Sequence, residues 1–214
     1  MEVIFSFASV LGALLIGAIS PGPSFVLIAR TSMAASRIDG LFAAIGMGIG
    51  GVVLSVLALL GLQAVLASVP WLYLALKFVG GLYLVYIAVR IWRGAKESIV
   101  ISGAEEGIRK SVKKSFLLGL FTQLSNPKTA VVYGSVFAAL LPHGLPSSAT
   151  LSLPFLVFFV EAGWYSMVAF SLSSESSRAA YLRSKMHIDR VAGGVMGLLG
   201  LKLVAAGDLR YWAN

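Results

Sequence analysis

Two short runs decide how this chain folds: Ser20-Pro21-Gly22-Pro23 and Ser125-Asn126-Pro127-Lys128. Each interrupts a long apolar stretch. A proline inside a helix removes a hydrogen bond and clashes with the preceding turn. In lipid, the carbonyls and amides so freed need another partner. Nothing between Glu2 and Arg30 is charged, a run of 27 residues, and between Asp39 and Lys77 lie another 37. A transmembrane helix needs only about 20. The 214-residue chain is 58% hydrophobic and 12% charged, against roughly 25% charged in a typical soluble domain. A water-soluble globule of this size could not hide that much apolar surface. The segments are long and continuous without period-two alternation, so the fold class is an all-α membrane protein and not a barrel.

Six transmembrane helices follow from the apolar runs: about Val3–Ile28, Leu41–Leu62, Pro70–Val89, Ser115–Leu141, Thr150–Leu172 and Val191–Leu209. Pro70 opens the third, and Pro142 stops the fourth. Met1-Glu2-Val3 has no basic run and Ser20-Pro21-Gly22 is a poor cleavage site, so the first stretch is expected to be a retained span. Lys and Arg then set the orientation. Thirteen of the 17 basic residues lie in the segments after spans one, three and five, and none in the connections around Ser68 and His143. Cytoplasmic loops accumulate Lys and Arg, which puts both termini outside. The net charge of +8 therefore reads as topology and not as nucleic-acid binding. The expected organisation is one transmembrane domain over 1–214. Repeat one covers about 1–91, a solvated cytoplasmic linker about 92–114, and repeat two about 115–214.

Each proline break opens a three-helix half. Three is odd, so the halves run in opposite directions: two inverted repeats with broken first and fourth helices. Paired breaks in inverted halves point to a transporter's central binding site. Ionisable residues within spans are costly and face a cavity or a partner. Lys77 and Lys202 sit near enough to helix ends to snorkel. Lys128 and Glu161 lie deeper and are the better candidates for a polar pathway. Trp164, beside Glu161, is a further candidate for lining a pocket. Gly46-x-x-x-Gly50 and Gly193-x-x-x-Gly197 present small faces for close helix packing, within the subunit or in a homodimer.

Other functions fit poorly. Zero cysteines exclude thiol redox chemistry and thiolate metal sites. His143 and His187 fall in loops on opposite sides, and Asp39, Asp189 and Asp208 lie at or beyond span ends, which disfavours an enzyme. One deep carboxylate among three intramembrane lysines would repel a metal ion. A passive channel stays open, separable by whether transport is concentrative. No cofactor is expected.

The residues also resemble a family. Gly17 to Gly40, with Pro21-Gly22-Pro23 and Arg37-x-x-Gly40, resembles the first signature of the LysE/RhtB amino-acid exporters. The likeness continues through Gly61-Leu62, Leu76-Lys77-x-x-Gly80-Gly81-x-Tyr83-Leu84, and Phe116-x-x-Gly119 leading to Asn126-Pro127-Lys128. After Pro142 this chain has His143-Gly144 where the family often has a Gln-Phe pair. The resemblance implies a bacterial inner-membrane exporter of amino acids or related zwitterions, driven by protons as antiport partner. Substrate would then bind at Ser20, Pro21, Gly22, Pro23, Asn126, Pro127 and Lys128. Lys128 would attract the carboxylate, with Glu161 contacting the amino group or carrying a proton, and Trp164 nearby. Reporter fusions near Lys96 and near His143 should report cytoplasm and exterior respectively. Both on one side would contradict six spans.

Overall fold

A computed structural model describes residues 2–20, 22–68, 70–96, 111–141, 147–172 and 175–206. Pro21, Pro142, His143, Asp208, Tyr211, Trp212 and residues 97–110 of the expected linker lie outside the described residues. Among the described residues all regular structure is helical: α1 (Glu2–Ile19), α2 (Pro23–Ala34), α3 (Arg37–Ser68), α4 (Pro70–Gly94), α5 (Val112–Leu124), α6 (Pro127–Leu140), α7 (Ser147–Ser171) and α8 (Glu175–Ala206). The expected first span is thus two helices, α1 and α2, bent by 59°. The expected fourth is likewise divided into α5 and α6. By length and composition α3 and α7 can each cross a membrane, and the α1–α2 pair passes the same test when its two bent helices are taken together as one span.

Both restarts have the same local cause. Pro23 and Pro127 stand at the first positions of α2 and α6, where a missing N–H costs nothing because no helical acceptor precedes it. Asn126 caps α6, its side chain accepting from the Lys128 amide at 3.1 Å. Gly22 precedes α2 in an extended conformation without a side-chain cap. Ser36 and Asp39 close the start of α3 reciprocally: the Ser36 hydroxyl donates to Asp39 Oδ2 at 2.6 Å, and the Asp39 amide donates to Ser36 Oγ at 3.0 Å. The serine caps the third amide of α3 as in a capping box, while the aspartate returns to the serine hydroxyl instead of to its backbone amide. Pro154 lies within α7 without ending it.

Expected boundaries differ most in the last third. The charged segment up to Arg190, read as a cytoplasmic loop, is the first half of α8. Arg, Lys and Glu are good helix formers, so charge marks where a span leaves lipid and not where a helix ends. For the same reason Arg30 belongs to α2 and Lys113 and Lys114 to α5.

The glycine faces pack within the subunit. At the α3–α5 crossing Gly46 lies against the Phe116 carbonyl and Leu120 amide, and Gly119 against the Ala43 carbonyl. At the α4–α8 crossing Gly81 and Gly200 meet backbone to backbone. Two apolar clusters result. One joins Leu14, Leu84, Phe137, Leu153 and Met196, and the other Phe25, Ile28, Met47, Val168 and Ala169. Large apolar side chains also point outward, among them Leu57, Phe155, Phe159 and Leu198, as expected where the surrounding solvent is lipid.

A Cβ at Gly119 would meet backbone that cannot swing aside. Gly119→Val should therefore lower stability in detergent on the order of 1–3 kcal/mol by overpacking. Gly134→Ala, where no atom lies within 4 Å of an added Cβ, should stabilise by up to about 1 kcal/mol. Thermal unfolding of the two variants measures the contrast, and equal responses would contradict the α3–α5 crossing.

Candidate functional site

The two breaks meet in the interior. Ser24, in the first turn of α2, donates its hydroxyl to Gln123 Oε1 at 2.9 Å, and Asn126 Nδ2 donates to Ser24 Oγ at 3.1 Å. All three residues are buried, and Tyr165 of α7 reaches Ser24 as well. One amide pair therefore ties the start of α2 to the end of α5, while Asn126 also caps α6. Buried polar groups must be partnered, and here the partners lie across the break from one another.

Lys128 extends from the start of α6 to the end of α1. Its ammonium donates to the carbonyls of Gly17 at 3.1 Å and Ser20 at 3.2 Å. The last regular bond of α1 runs from the Ser20 amide to Ile16 at 3.3 Å. The carbonyls beyond have no helical donor, and a cation there also suits the negative end of the helix dipole. Gly22 lies close by, with a Cβ placed there 3.6 Å from the ammonium.

Glu161 is buried in the middle of α7, with 3% of its surface exposed. Its carboxylate accepts from the Tyr133 hydroxyl at 2.9 Å and from Gln123 Nε2 at 3.2 Å. Gly51 of α3 makes room: a Cβ there would lie 3.0 Å from the Tyr133 oxygen and 3.2 Å from Glu161 Cγ. Lys128 and Glu161 form no salt bridge with each other. Each is held by its own partners, so the pair is not a structural ion pair.

A cavity of about 470 Å³ lies beside the breaks, a size within the roughly 300–1,000 Å³ of small-molecule sites. Ser20, Gly22, Pro23, Asn126, Pro127 and Lys128 line it at the breaks. Tyr83, Tyr86, Arg90 and Gly94 of α4 and Lys185 and Asp189 of α8 form its other walls. A second void of about 20 Å³ lies deeper, against Glu161, Tyr133, Tyr165 and Ser24. Ser20, Gly22, Asn126 and Lys128 line both spaces.

Most of the expected site residues are thus brought together, with differences. Pro21 lies outside the described residues. Glu161 sits behind the large cavity and faces only the small void. Trp164 is partly buried with its Nε1 unpartnered and lines neither space. Lys202 is exposed, and neither it nor Lys77 lines the cavity. Sequence reasoning missed Ser24, Gln123 and Tyr133, neutral polar residues in helices with no spacing motif to mark them. It also missed Asp189 and Lys185. Their i, i+4 spacing marks a helix pair, but the charge of the segment reads as a loop. Among the described residues no three His, Asp or Glu side chains gather as a metal site.

The family model for LysE type translocators matches residues 15–207. The chain is 30% identical to a threonine efflux protein of Escherichia coli (strain K12) over 192 residues, 89% of this chain and 93% of that protein. It is 27% identical to a leucine efflux protein of Enterobacter sp. (strain 638) over 181 residues, 84% of this chain and 83% of that protein. No solved structure matches. The matched region takes in both helix breaks, the carboxylate behind them and the cavity, and the chain belongs to the LysE type translocator family.

Proposed function

We propose that this protein exports small neutral amino acids, threonine among them, across a bacterial inner membrane. The observation that carries the reading is the meeting of two backbone breaks at Lys128, on a cavity of about 470 Å³. Broken helices offer unpaired amides and carbonyls at membrane depth only where they line a site. The threonine and leucine efflux relatives support an amino-acid cargo. In this reading α1–α2, α3 and α4 form one three-helix repeat and α5–α6, α7 and α8 the inverted second. That makes six spans in one domain over 1–214, joined by a cytoplasmic linker at 92–114, with both termini outside. Any homodimer uses a surface other than the glycine faces, which are filled within the subunit.

The cavity runs from the breaks to the end of α4, where Arg90 and Gly94 lie. Under the positive-inside rule that end is cytoplasmic, so the site is open for loading. The substrate carboxylate takes the Lys128 ammonium in exchange for one backbone carbonyl, and the bond strengthens in a dry site. Glu161 lies one layer deeper and touches Lys128's surroundings through Gln123, Asn126 and Ser24. It serves as the coupling group: on the far side it takes up a proton as the substrate leaves, and it gives that proton to the cytoplasm once the carrier has returned. Repacking the Ser24–Gln123–Asn126 bonds then moves one repeat against the other.

Vesicles holding purified protein and labelled threonine test this. Wild-type export should be concentrative and collapse with a protonophore, whereas a passive channel would equilibrate regardless. Lys128→Met should lower the export rate per molecule of inserted protein by about tenfold or more, the value of one charge-assisted hydrogen bond. Glu161→Gln should abolish concentrative export while folding persists, and the double replacement should restore nothing. Full export by Lys128→Met would contradict the site, and proton-independent accumulation would contradict the coupling.

A further inference from the structure

The large cavity holds a carboxylate that the mechanism above leaves unused. Asp189 lines it on α8, beside Lys185. Asp189 Oδ2 accepts from Lys185 Nζ at 2.8 Å. The same ammonium donates to the carbonyls of Gly94 at 2.8 Å and Ala95 at 3.4 Å, which ties the pair to the end of α4. Asp189 is 2% exposed, yet its other oxygen, Oδ1, has no hydrogen-bond partner. A purely structural ion pair gains nothing from a buried carboxylate oxygen left unsatisfied, because the desolvation cost stands uncompensated. Ser20, at the break, also lines the cavity and has an unpartnered hydroxyl oxygen. One cavity is therefore walled by an ammonium at the breaks and, on α8, by a residue with an orphaned acceptor.

We infer that Asp189 Oδ1 is the acceptor for the substrate's α-ammonium group, set to complement the carboxylate site at Lys128. The inference rests on the amino-acid export proposed above and assigns that site's second pole. Lys185 is the positioning residue: it holds Oδ2 and so turns Oδ1 away from itself. Oδ1 is covered in this conformation, so admitting the ammonium requires a side-chain shift in the wall around it. The same charges set selectivity. Lys128, Arg90 and Lys185 face the cavity, and Asp189 is the one carboxylate among the described residues that line it. A second positive charge on the substrate has no partner there, so dibasic amino acids are rejected. Tyr83, Tyr86, Ile87 and Ile91 offer rings and apolar surface to a neutral side chain.

The test is binding to the purified full-length protein of three probes: threonine, lysine, and 3-hydroxybutanoate, which is threonine without its amino group. Wild type should prefer threonine over 3-hydroxybutanoate by about tenfold or more, one charged hydrogen bond's worth, and should bind lysine least. Asp189→Asn should weaken threonine by a similar factor while 3-hydroxybutanoate is held as before, so the preference disappears. Lys185→Gln, which leaves the carboxylate in place, should keep a preference for threonine. Should Asp189→Asn fail to accumulate, the double variant Lys185→Met/Asp189→Leu strands no charge and serves the same comparison. Undiminished preference in the Asp189 variants would overturn the assignment while leaving amino-acid export intact. Failure of wild type to bind threonine at all, with 3-hydroxybutanoate bound normally, would overturn the assignment. Failure to bind any of the three would overturn the export reading and the assignment with it.

Discussion

The structure depends on a single constraint: backbone polar groups released by a helix break cannot be left bare in an apolar surrounding. Pro23 and Pro127 stop two helices from continuing. The carbonyls of Gly17 and Ser20 are then taken by the Lys128 ammonium, and the side chains of Ser24, Gln123 and Asn126 satisfy one another across the gap. Each break thus supplies what the other lacks. Neither could be buried alone, so the two must lie together, and the polar interior follows from their meeting.

Close backbone packing holds that interior in place. α3 comes near enough to α5 for Gly46 and Gly119 to sit against main-chain atoms, and α4 and α8 meet at Gly81 and Gly200. The first crossing carries Gln123, at the end of α5, to Glu161 and Ser24. The second brings Asp189 and Lys185 to the end of α4, and with it forms the far wall of the cavity. Gly51 leaves space for the Tyr133–Glu161 bond in the same way. Small residues here act as spacers that set where polar side chains can touch.

The breaks were legible because proline within a charge-free apolar run has few other meanings, and Lys128 and Glu161 because charge at that depth is costly. The helix ends were less so. Hydropathy reports where lipid stops, and α8 runs as a helix through its charged half, so Lys185 and Asp189 read as loop residues and their side of the cavity has no signal in the sequence. Gln123 and Ser24 are neutral and unremarkable in one dimension. Their part comes from being set opposite each other by packing, which no spacing encodes. Trp164, one helical turn on from Glu161, lines neither space and packs against the cluster of Phe25 and Met47 instead, a placement that nearness in sequence does not encode.

The central claim is that the two repeats, tied where the breaks meet, move against each other during transport. The chain has no cysteine of its own, so a pair introduced at Ala88 of α4 and Gly197 of α8, where a Cβ on the glycine lies 3.5 Å from that of the alanine, within disulfide reach, can be joined by mild oxidation in native membranes. The account predicts ready bridging within one chain, arrest of threonine efflux in the bridged protein, and recovery on reduction. No bridge in a correctly inserted protein, or a bridge that leaves efflux unchanged, would contradict it.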